Sequence, residues 1–229
     1  MPVTEFAIIP FNNEGWEDTP TVGHQAELAQ EATTSLTIPD NILAKLSTAR
    51  ECLEQASGHT FRFFQQIQDP SMVHIIGKWD SIDAHGAFLV SPENQHLLQL
   101  LSEDVMSSKG KPEIQMWHLD VDAFDYPSLA DSWLSSATCV AYQRCTVSMQ
   151  GRAQHSEDFG DLVTAMKRSA SAVGGWRIEK EAEDEEWMVF YDPKVKMGTS
   201  LPAEDHQEFG KTELATHLGE LHMVALEGL

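Results

Sequence analysis

The order of β-rich and helical segments constrains the fold of this 229-residue chain most, because the same order occurs twice. In the first half, alternating apolar residues predict a strand over 5–11, and helical spacing begins at Ile42. Two β-rich runs, 61–67 and 72–79, then flank a short Asp-Pro-Ser turn and predict a hairpin. A second helical stretch and a strand over 113–119 complete a β-α-β-β-α-β unit.

The helical segments of this first unit carry recognisable start and stop signals. The first has an apolar stripe at steps of three and four, formed by Ile42, Leu46, Ala49, Leu53 and Ala56. Asp40 is the predicted N-cap and Gly58 the predicted terminator. In the second helical stretch, Pro92 predicts two helical pieces in place of one.

The second half repeats this order with little similarity between the residues themselves. The predicted hairpins begin at Phe61 and Trp176, 115 residues apart. A strand over 138–148 precedes a helix that we expect Ser156 to cap and Gly174-Gly175 to stop. The remaining segments are hairpin strands at 176–182 and 187–192, a covering helix at 203–218 and a last strand at 221–227. The acidic run 179–186 is predicted to be a solvated hairpin tip.

This order predicts an α+β fold of two ferredoxin-like modules in tandem. A four-stranded sheet with both helices on one face leaves its other face bare, and a tandem copy can bury that face. We therefore expect one pseudo-dimeric α+β barrel, with a first module over 1–122, a linker over 123–137 and a second, degenerate module over 138–229. Such a chain is expected to be a monomer with an internal pseudo-dimer, or a homodimer.

The charge of the chain excludes one class of partner. Its formal net charge is −21, and both halves are acidic, so a phosphate backbone would be repelled and nucleic acid is not expected as a partner. There is no apolar run of 18 residues, so no membrane partner is expected. The start of the chain has no secretion-signal pattern, and the three cysteines lack metal-type spacing. A cytoplasmic location is the resulting prediction.

Several familiar catalytic and cofactor motifs are missing from the sequence. It has no glycine-rich phosphate loop, no His-Glu-x-x-His, no Cys-x-x-Cys and no Gly-x-Ser-x-Gly. An Asp-x-Asp occurs at 120–122, but without the glycine and glutamate of a calcium loop. The sequence therefore predicts neither a metal site nor a tightly bound cofactor.

Two histidines are the candidate catalytic residues. His74 interrupts an otherwise apolar strand, where it could act as a general base or could be a hydrogen-bonded core residue. His85 lies one turn into the next helix, where it could face the same pocket or bond to the preceding turn. Both alternatives remain open for each histidine.

Aromatic and basic residues near these histidines are the candidate substrate-binding residues. A flat wall for a planar substrate, or simply a core, could be formed by Phe64, Trp79, Phe88 and Trp117. Arg62 and Arg144 could hold an anion or form structural salt bridges. His118, beside Trp117, is a weaker candidate of the same kind.

The segment 77–92 resembles the antibiotic biosynthesis monooxygenase-like modules of the dimeric α+β barrel superfamily. The resemblance rests on a strand-final Trp79, the Asp80-Ser81 turn, Ala84-His85 on the following helix, and the Ser91-Pro92 break. The element order extends it over 5–119. The second half matches in order only, with Tyr191-Asp192 in place of Trp79-Asp80.

The resemblance implies a small-molecule pocket between the sheet and the helices of one module. It implies a cofactor-independent enzyme of secondary metabolism that acts on a planar aromatic or polyketide-like molecule by acid/base-assisted oxygenation, cyclisation or rearrangement. A non-catalytic small-molecule-binding or accessory protein is the alternative. Haem binding is a third, which the sequence disfavours because Phe88 and Leu98 stand where the haem-degrading members have a tryptophan and a ligand histidine.

Overall fold

A computed structural model of the chain describes residues 1–20, 34–108, 111–125, 133–165, 171–180, 185–194, 215–226 and 229. The chain divides into two compact units. Unit 1 consists of Met1–His118 together with Met223–Leu229, and unit 2 of Leu119–His222. Among the described residues, no helix has the length and apolar character needed to cross a membrane.

The described part of unit 1 contains four strands of the main sheet, two separate two-stranded sheets and three helices. Its strands are β1 (Val3–Pro10), β2 (Glu17–Pro20), β3 (Thr34–Thr37), β4 (Arg62–Gln66), β5 (Met72–Trp79), β6 (Ser107–Ser108), β7 (Lys111–Pro112) and β8 (Gln115–Leu119). Its helices are α1 (Asp40–Ser57), α2 (Ile82–Leu89) and α3 (Pro92–Leu101). The strand order β4-β5-β1-β8 places the first strand in the centre, as the β-α-β-β-α-β order predicts.

The helices of unit 1 largely follow their sequence signals. Gly58 ends α1 with a φ of 75°, a left-handed conformation that favours glycine. The prediction that Asp40 is the N-cap is wrong by one residue, since Pro39 holds that position and Asp40 lies in the first turn. The second helical stretch is divided at Pro92 as predicted, and Ser81 and Ser91 cap the two pieces.

Strand alternation gives the unit 1 sheet two distinct faces, both largely buried. In β1, the odd-numbered residues Glu5, Ala7 and Ile9 line the cavity described below, so this face is directed to the helices. The even-numbered residues point to the opposite face, where Phe6 stacks on His74 with ring centroids 5.5 Å apart. This division separates the candidate site residues into two groups.

Unit 2 contains α4 (Trp133–Ser136), β9 (Cys139–Val147), a 3₁₀ turn (Met149–Gly151), α5 (Arg152–Ala165), β10 (Ala172–Trp176), β11 (Glu185–Tyr191) and most of β12 (Ala215–Ala225). Its strand order is β10-β11-β9-β12. The last residues of β12, from Met223, pair with β4 and belong to unit 1. The predicted α+β class is confirmed.

Boundary predictions in unit 2 are wrong for α5 and for the first hairpin strand, which was expected over 176–182 and is β10 (Ala172–Trp176). Helix α5 begins at Arg152, so Ser156 lies inside the helix, where its hydroxyl accepts a hydrogen bond from the Trp176 indole at 3.0 Å. The Gly174-Gly175 pair does not stop a helix but lies within β10. A Cβ on Gly174 would lie 2.4 Å from the Trp187 ring, so glycine is needed for that indole to lie against the strand.

The acidic run and the covering helix of unit 2 are only partly described. Glu185 and Glu186 begin β11, and Glu185 is a buried carboxylate paired with Arg152 at 2.6 Å and Lys180 at 2.5 Å. This end of the run is therefore not a solvated tip. Residues 203–214 of the predicted helix lie outside the described residues, and 215–218 belong to β12.

Candidate functional site

A cavity of about 400 Å³ lies between the sheet of unit 1 and its three helices. This volume is in the range of small-molecule sites in proteins. Most of its wall is apolar: Ala7, Ile9, Ala49, Leu53, Ile75, Phe88, Leu89, Leu97, Leu98, Leu101, Val105, Ile114 and Met116. The side chain of Leu98 is 36% exposed, so this part of α3 lies at the cavity mouth.

The polar part of the wall is small. It consists of Glu5, His85, Asn94, Ser102 and Ser107. These lining residues include no lysine or arginine. Glu5 and His85 are the two ionisable groups among them, so the cavity wall combines a large apolar surface with one acid/base pair.

Trp79 holds the carboxyl group of Glu5 in place. The carboxyl is 4% exposed, and the indole Nε1–H of Trp79 donates to Oε2 at 2.5 Å. Trp79 itself is fixed by an edge-to-face contact with Phe61, at a centroid distance of 5.8 Å. Phe61 in turn lies against Gly77, where a Cβ would come within 2.0 Å of the ring. A glycine and two aromatics thus orient one buried carboxyl.

His85 lies between Glu5 and a second histidine. Its ring stacks on Trp79 with a centroid distance of 4.5 Å and an interplanar angle of 9°. Nε2 of His85 lies 3.6 Å from Glu5 Oε2, and Nδ1 lies 2.7 Å from Nε2 of His118. Carboxyl, imidazole and imidazole therefore form a continuous polar chain inside an otherwise apolar region.

Burial dominates the electrostatics of this chain. Loss of solvation raises the pKa of Glu5 to about 7, although the Trp79 hydrogen bond and the charge of His118 act in the opposite direction. A carboxyl with a pKa near neutrality can both accept and release protons at physiological pH, which is what a general acid/base requires. The 3.6 Å separation from His85 is long for a hydrogen bond, and such contacts often tighten when substrate binds.

Three of the residues predicted from sequence come together at this site. His85 and Phe88 line the cavity, and Trp79 lies directly behind them, with its ring centroid 5.3 Å from that of Phe88. All three are at most 7% exposed. The side chain of His85 faces the cavity, which is one of the two orientations that the sequence left open.

Four other predicted residues lie on the opposite face of the sheet, and Arg144 lies in unit 2, where it pairs with Glu186 at 2.5 Å. His74 pairs in register with Phe64, Arg62 pairs with Ile76, and Trp117 contacts Phe6 edge to face at 5.4 Å. His74 Nε2 is 2.9 Å from Gln66 Oε1, and burial lowers the His74 pKa to about 3. None of these four residues is among the cavity-lining residues. A catalytic role for His74 stays a prediction.

Sequence reasoning missed Glu5 and gave His118 little weight. Glu5 shares its strand face with Val3, Ala7 and Ile9, so an acidic residue stands in an inward-facing apolar position. An acidic residue at such a strand position could have been recognised from the sequence. His118 lies on the same face of β8 as Met116, which lines the cavity, but alternation alone cannot show that it meets His85.

In unit 2 the corresponding strand positions carry a different set of residues. Tyr191 pairs with Ala141 as Trp79 pairs with Val3, and two residues further along each strand stand Gln143 and Glu5. Gln143 Nε2 donates to the Tyr191 hydroxyl at 2.9 Å and to Glu220 at 2.6 Å. A neutral amide therefore takes the register position of the Glu5 carboxyl.

Aromatic side chains pack between α5 and the sheet in the described part of unit 2. Trp187 contacts Trp176, Phe159 and His155, with ring centroids 4.8, 5.1 and 5.3 Å away. His155 is buried, and its Nε2 lies 3.8 Å from Cys145 Sγ. Among the residues that the structure describes in either unit, no group of three or more His, Cys, Asp or Glu side chains could hold a metal ion.

Comparison with known proteins supports the fold. No family model matches the sequence, and no curated protein matches it either. A candidate monooxygenase from Fusobacterium nucleatum subsp. nucleatum is similar over 99% of this chain and 93% of its own, with a TM-score of 0.57 and 8% identity. An anthrone oxidase-like protein is similar over 98% and 91%, with a TM-score of 0.56 and 11% identity.

A third structure extends this likeness. A candidate monooxygenase from Lactobacillus acidophilus NCFM is similar over 98% of this chain and 93% of its own, with a TM-score of 0.53 and 10% identity. The chain shares the fold of these monooxygenase-like proteins. The predicted fold class and the predicted resemblance are confirmed over both units, and at these identities the likeness concerns the fold alone.

Proposed function

We propose that unit 1 is the active site of a cofactor-independent enzyme of secondary metabolism, located in the cytoplasm, that acts on a planar aromatic or polyketide-like molecule. The observation that supports this most is the buried Glu5–His85 pair in the wall of an apolar cavity. Burial of ionisable groups costs free energy, and a cleft that contains ionisable groups with perturbed pKa values is a candidate for catalysis. Three structural neighbours are named as candidate monooxygenases or as anthrone oxidase-like, which agrees with this reaction class, and a fourth is named as a candidate chlorite dismutase.

The cavity favours an uncharged substrate. Among the described residues that line it, there is no cationic side chain to pair with a carboxylate or phosphate, and the Glu5 carboxylate would repel one. 2-Naphthol and 2-naphthoate test this selectivity, because they share a ring system and differ in charge at neutral pH. We expect calorimetry to show at least about tenfold tighter binding of 2-naphthol, a difference of about 1.4 kcal/mol. Equal affinity would contradict the proposed substrate class.

The proposed chemistry begins with proton removal. The Glu5 carboxylate takes a proton from an acidic carbon or hydroxyl of the substrate, and His85 orients the carboxylate and stabilises its changing charge. The resulting electron-rich anion can then react with dioxygen, cyclise or rearrange. With anthrone as a probe, one dioxygen would supply the new quinone oxygen and one water, giving anthraquinone.

Anthrone oxidation provides the test. We expect the wild-type protein to consume dioxygen and form anthraquinone in equal amounts, and Glu5→Gln and His85→Asn to lower kcat by about 10²–10⁴-fold. Gln143→Ala, at the corresponding register position of unit 2, is the matched control and should keep near-wild-type turnover. Unchanged kcat in both unit 1 variants would contradict the assignment.

Two other functions make different predictions. A non-catalytic binding protein would hold a co-purified molecule or 2-naphthol in the cavity and would turn over neither. A haem protein would show a Soret band after reconstitution with haem. Leu98, at the cavity mouth, has no atom that can bind iron. His85 also lines the cavity, and its two ring nitrogens face Glu5 and His118. The residues present therefore do not fit a haem ligand set.

A further inference from the structure

His118 contacts His85 and is not among the cavity-lining residues. Its Nε2 lies 2.7 Å from His85 Nδ1, and the two rings meet edge to face at an interplanar angle of 78°. At this distance one nitrogen must carry a proton and the other must accept it. The proton positions on the two rings are therefore coupled.

His85 also faces Glu5, whose Oε2 lies 3.6 Å from its Nε2, close enough for the charge of Glu5 to influence the imidazole. A neutral imidazole carries one ring proton, and the two nitrogens of His85 face different neighbours. While Glu5 is a carboxylate, the proton is favoured on Nε2, which faces it, and Nδ1 accepts from His118. When Glu5 is protonated, its hydroxyl can donate to Nε2, and the His85 proton then belongs on Nδ1, from which it is donated to His118.

We propose that His118 is a positioning residue for the Glu5–His85 pair, which sets the proton-bearing nitrogen of His85 and takes up a proton when Glu5 ionises. That the ionised Glu5 then acts as a base rests on the proposed function. With His85 and His118 both protonated on Nδ1, the Glu5 proton moves to His85 Nε2, the His85 Nδ1 proton moves to His118 Nε2, and His118 releases its Nδ1 proton to water. The carboxylate is regenerated, and no bond other than those to hydrogen changes.

The surroundings of His85 suit such a relay. The titratable groups that face its ring are Glu5 from β1 and His118 from β8, while β5 contributes the Trp79 ring. All four side chains are buried, which limits proton exchange with solvent on the cavity side. Because burial raises the Glu5 pKa to about 7, the change of His85 tautomer is expected near neutral pH.

The ring protons can be observed directly in the full-length protein. We would label histidine with ¹⁵N and follow the His85 ring nitrogens by long-range ¹H–¹⁵N NMR from about pH 6 to pH 8.5, a window that spans the expected ionisation of Glu5. The expected result is a shift of the His85 proton from Nδ1 to Nε2 as Glu5 ionises. Glu5→Gln should abolish this shift. A His85 proton that stays on one nitrogen throughout would overturn the proposal.

A variant separates the relay from a purely structural role. We expect His118→Leu to abolish the pH-dependent tautomer change and to lower kcat for anthrone by about tenfold with little change in KM. His96→Leu, at an exposed position on α3, should change neither. If His118→Leu does not fold, the titration of the unaltered chain still decides.

The relay and the enzyme assignment can fail separately. A tautomer change without anthrone turnover would support the relay and contradict the proposed function. Turnover that depends on Glu5 but proceeds with a fixed His85 tautomer would support the function and overturn the relay.

Discussion

The two units of this chain use the helix-facing side of a similar sheet in opposite ways. In unit 1 that side leaves a cavity with a buried carboxyl–histidine chain in its wall. In unit 2 it is packed with Trp176, Trp187 and Phe159, and the amide Gln143 stands at the register position of Glu5. Unit 1 therefore has a cavity with acid/base groups in its wall, whereas aromatic side chains pack against α5 in the described part of unit 2.

The carboxylates of the two units show the same contrast. Desolvation raises the pKa of Glu5, whereas the hydrogen bond from Lys180, with help from Arg152, lowers the pKa of the buried Glu185. A buried carboxylate that is paired with cations serves structure, because it remains charged and bound. A buried carboxyl whose neighbours are histidine and tryptophan can change its protonation state. Burial alone therefore does not identify a site. The partners of a buried carboxyl decide whether its charge can change.

The largest expected effect comes from removing the centre of the unit 2 core. Trp187→Ala deletes contacts with three aromatic rings and should lower the free energy of unfolding by about 3–5 kcal/mol, measured by urea denaturation. Leu53→Ala, in the cavity wall of unit 1, should fall at the low end of about 2–5 kcal/mol, because part of its surroundings is already empty. A larger loss for Leu53→Ala would contradict the contrast between the filled and the open unit.

The next effect concerns pH and Glu5. The unfolded chain releases this proton near the ordinary pKa of 4.5, while the folded chain keeps it until about pH 7. Between these values the folded state binds more protons, so the Glu5 contribution to stability decreases as pH rises, by about 3 kcal/mol in total. The stability of Glu5→Gln relative to wild type should therefore increase by about this amount from about pH 4 to pH 8.

Denaturation of both proteins across this pH range provides the measurement. Glu113→Gln makes the same change at an exposed position and serves as the control. A flat difference between Glu5→Gln and wild type would show that Glu5 titrates like an exposed carboxyl.

Adding volume to each unit gives a smaller effect on stability. Ala141→Leu places extra atoms in the packed core of unit 2 and should destabilise the protein by about 1–3 kcal/mol. Ala49→Leu extends into the unit 1 cavity and should change stability by less than about 1 kcal/mol while weakening 2-naphthol binding at least about tenfold. If Ala49→Leu binds 2-naphthol as wild type does, the ligand lies elsewhere.

The smallest effect on stability is expected when a cationic partner of Glu185 is removed. Lys180→Ala removes an ion pair whose lysine is 54% exposed, and Arg152 remains bound to Glu185 at 2.6 Å. We expect a loss below about 1 kcal/mol by urea denaturation, because pairs with an exposed partner are screened by solvent. A loss of several kcal/mol would mean that Glu185 depends on Lys180 alone.

The sequence predicted those elements whose local signals agree with their tertiary context. The first hairpin, the break at Pro92 and the end of α1 at Gly58 depend on turn and cap chemistry, which acts over a few residues. The prediction for the start of α5 was wrong because Ser156 resembles an N-cap. Its hydroxyl instead accepts a hydrogen bond from the indole of Trp176 on β10. Gly174-Gly175 resembled a helix stop, but Gly174 admits the Trp187 ring and Gly175 lies against Val121.

The site was predicted in part for the same reason. His85, Trp79 and Phe88 are close in sequence, and one strand-to-helix turn brings them together. Glu5 and His118 come from the two ends of the first unit, so their meeting with His85 depends on the strand order and not on local pattern. His74 was favoured because it interrupts an apolar run, yet strand parity alone assigns it to the face away from Ile75, which lines the cavity.

Methyl NMR tests most directly whether a neutral ligand binds in the unit 1 cavity. Titration of the full-length protein with 2-naphthol should shift the methyl signals of Leu53, Leu97 and Leu101, which line the unit 1 cavity, and these shifts should saturate. The methyl signals of Val147 and Val189, in the packed core of unit 2, should not move. Saturating shifts in unit 2 with none in unit 1 would contradict the account.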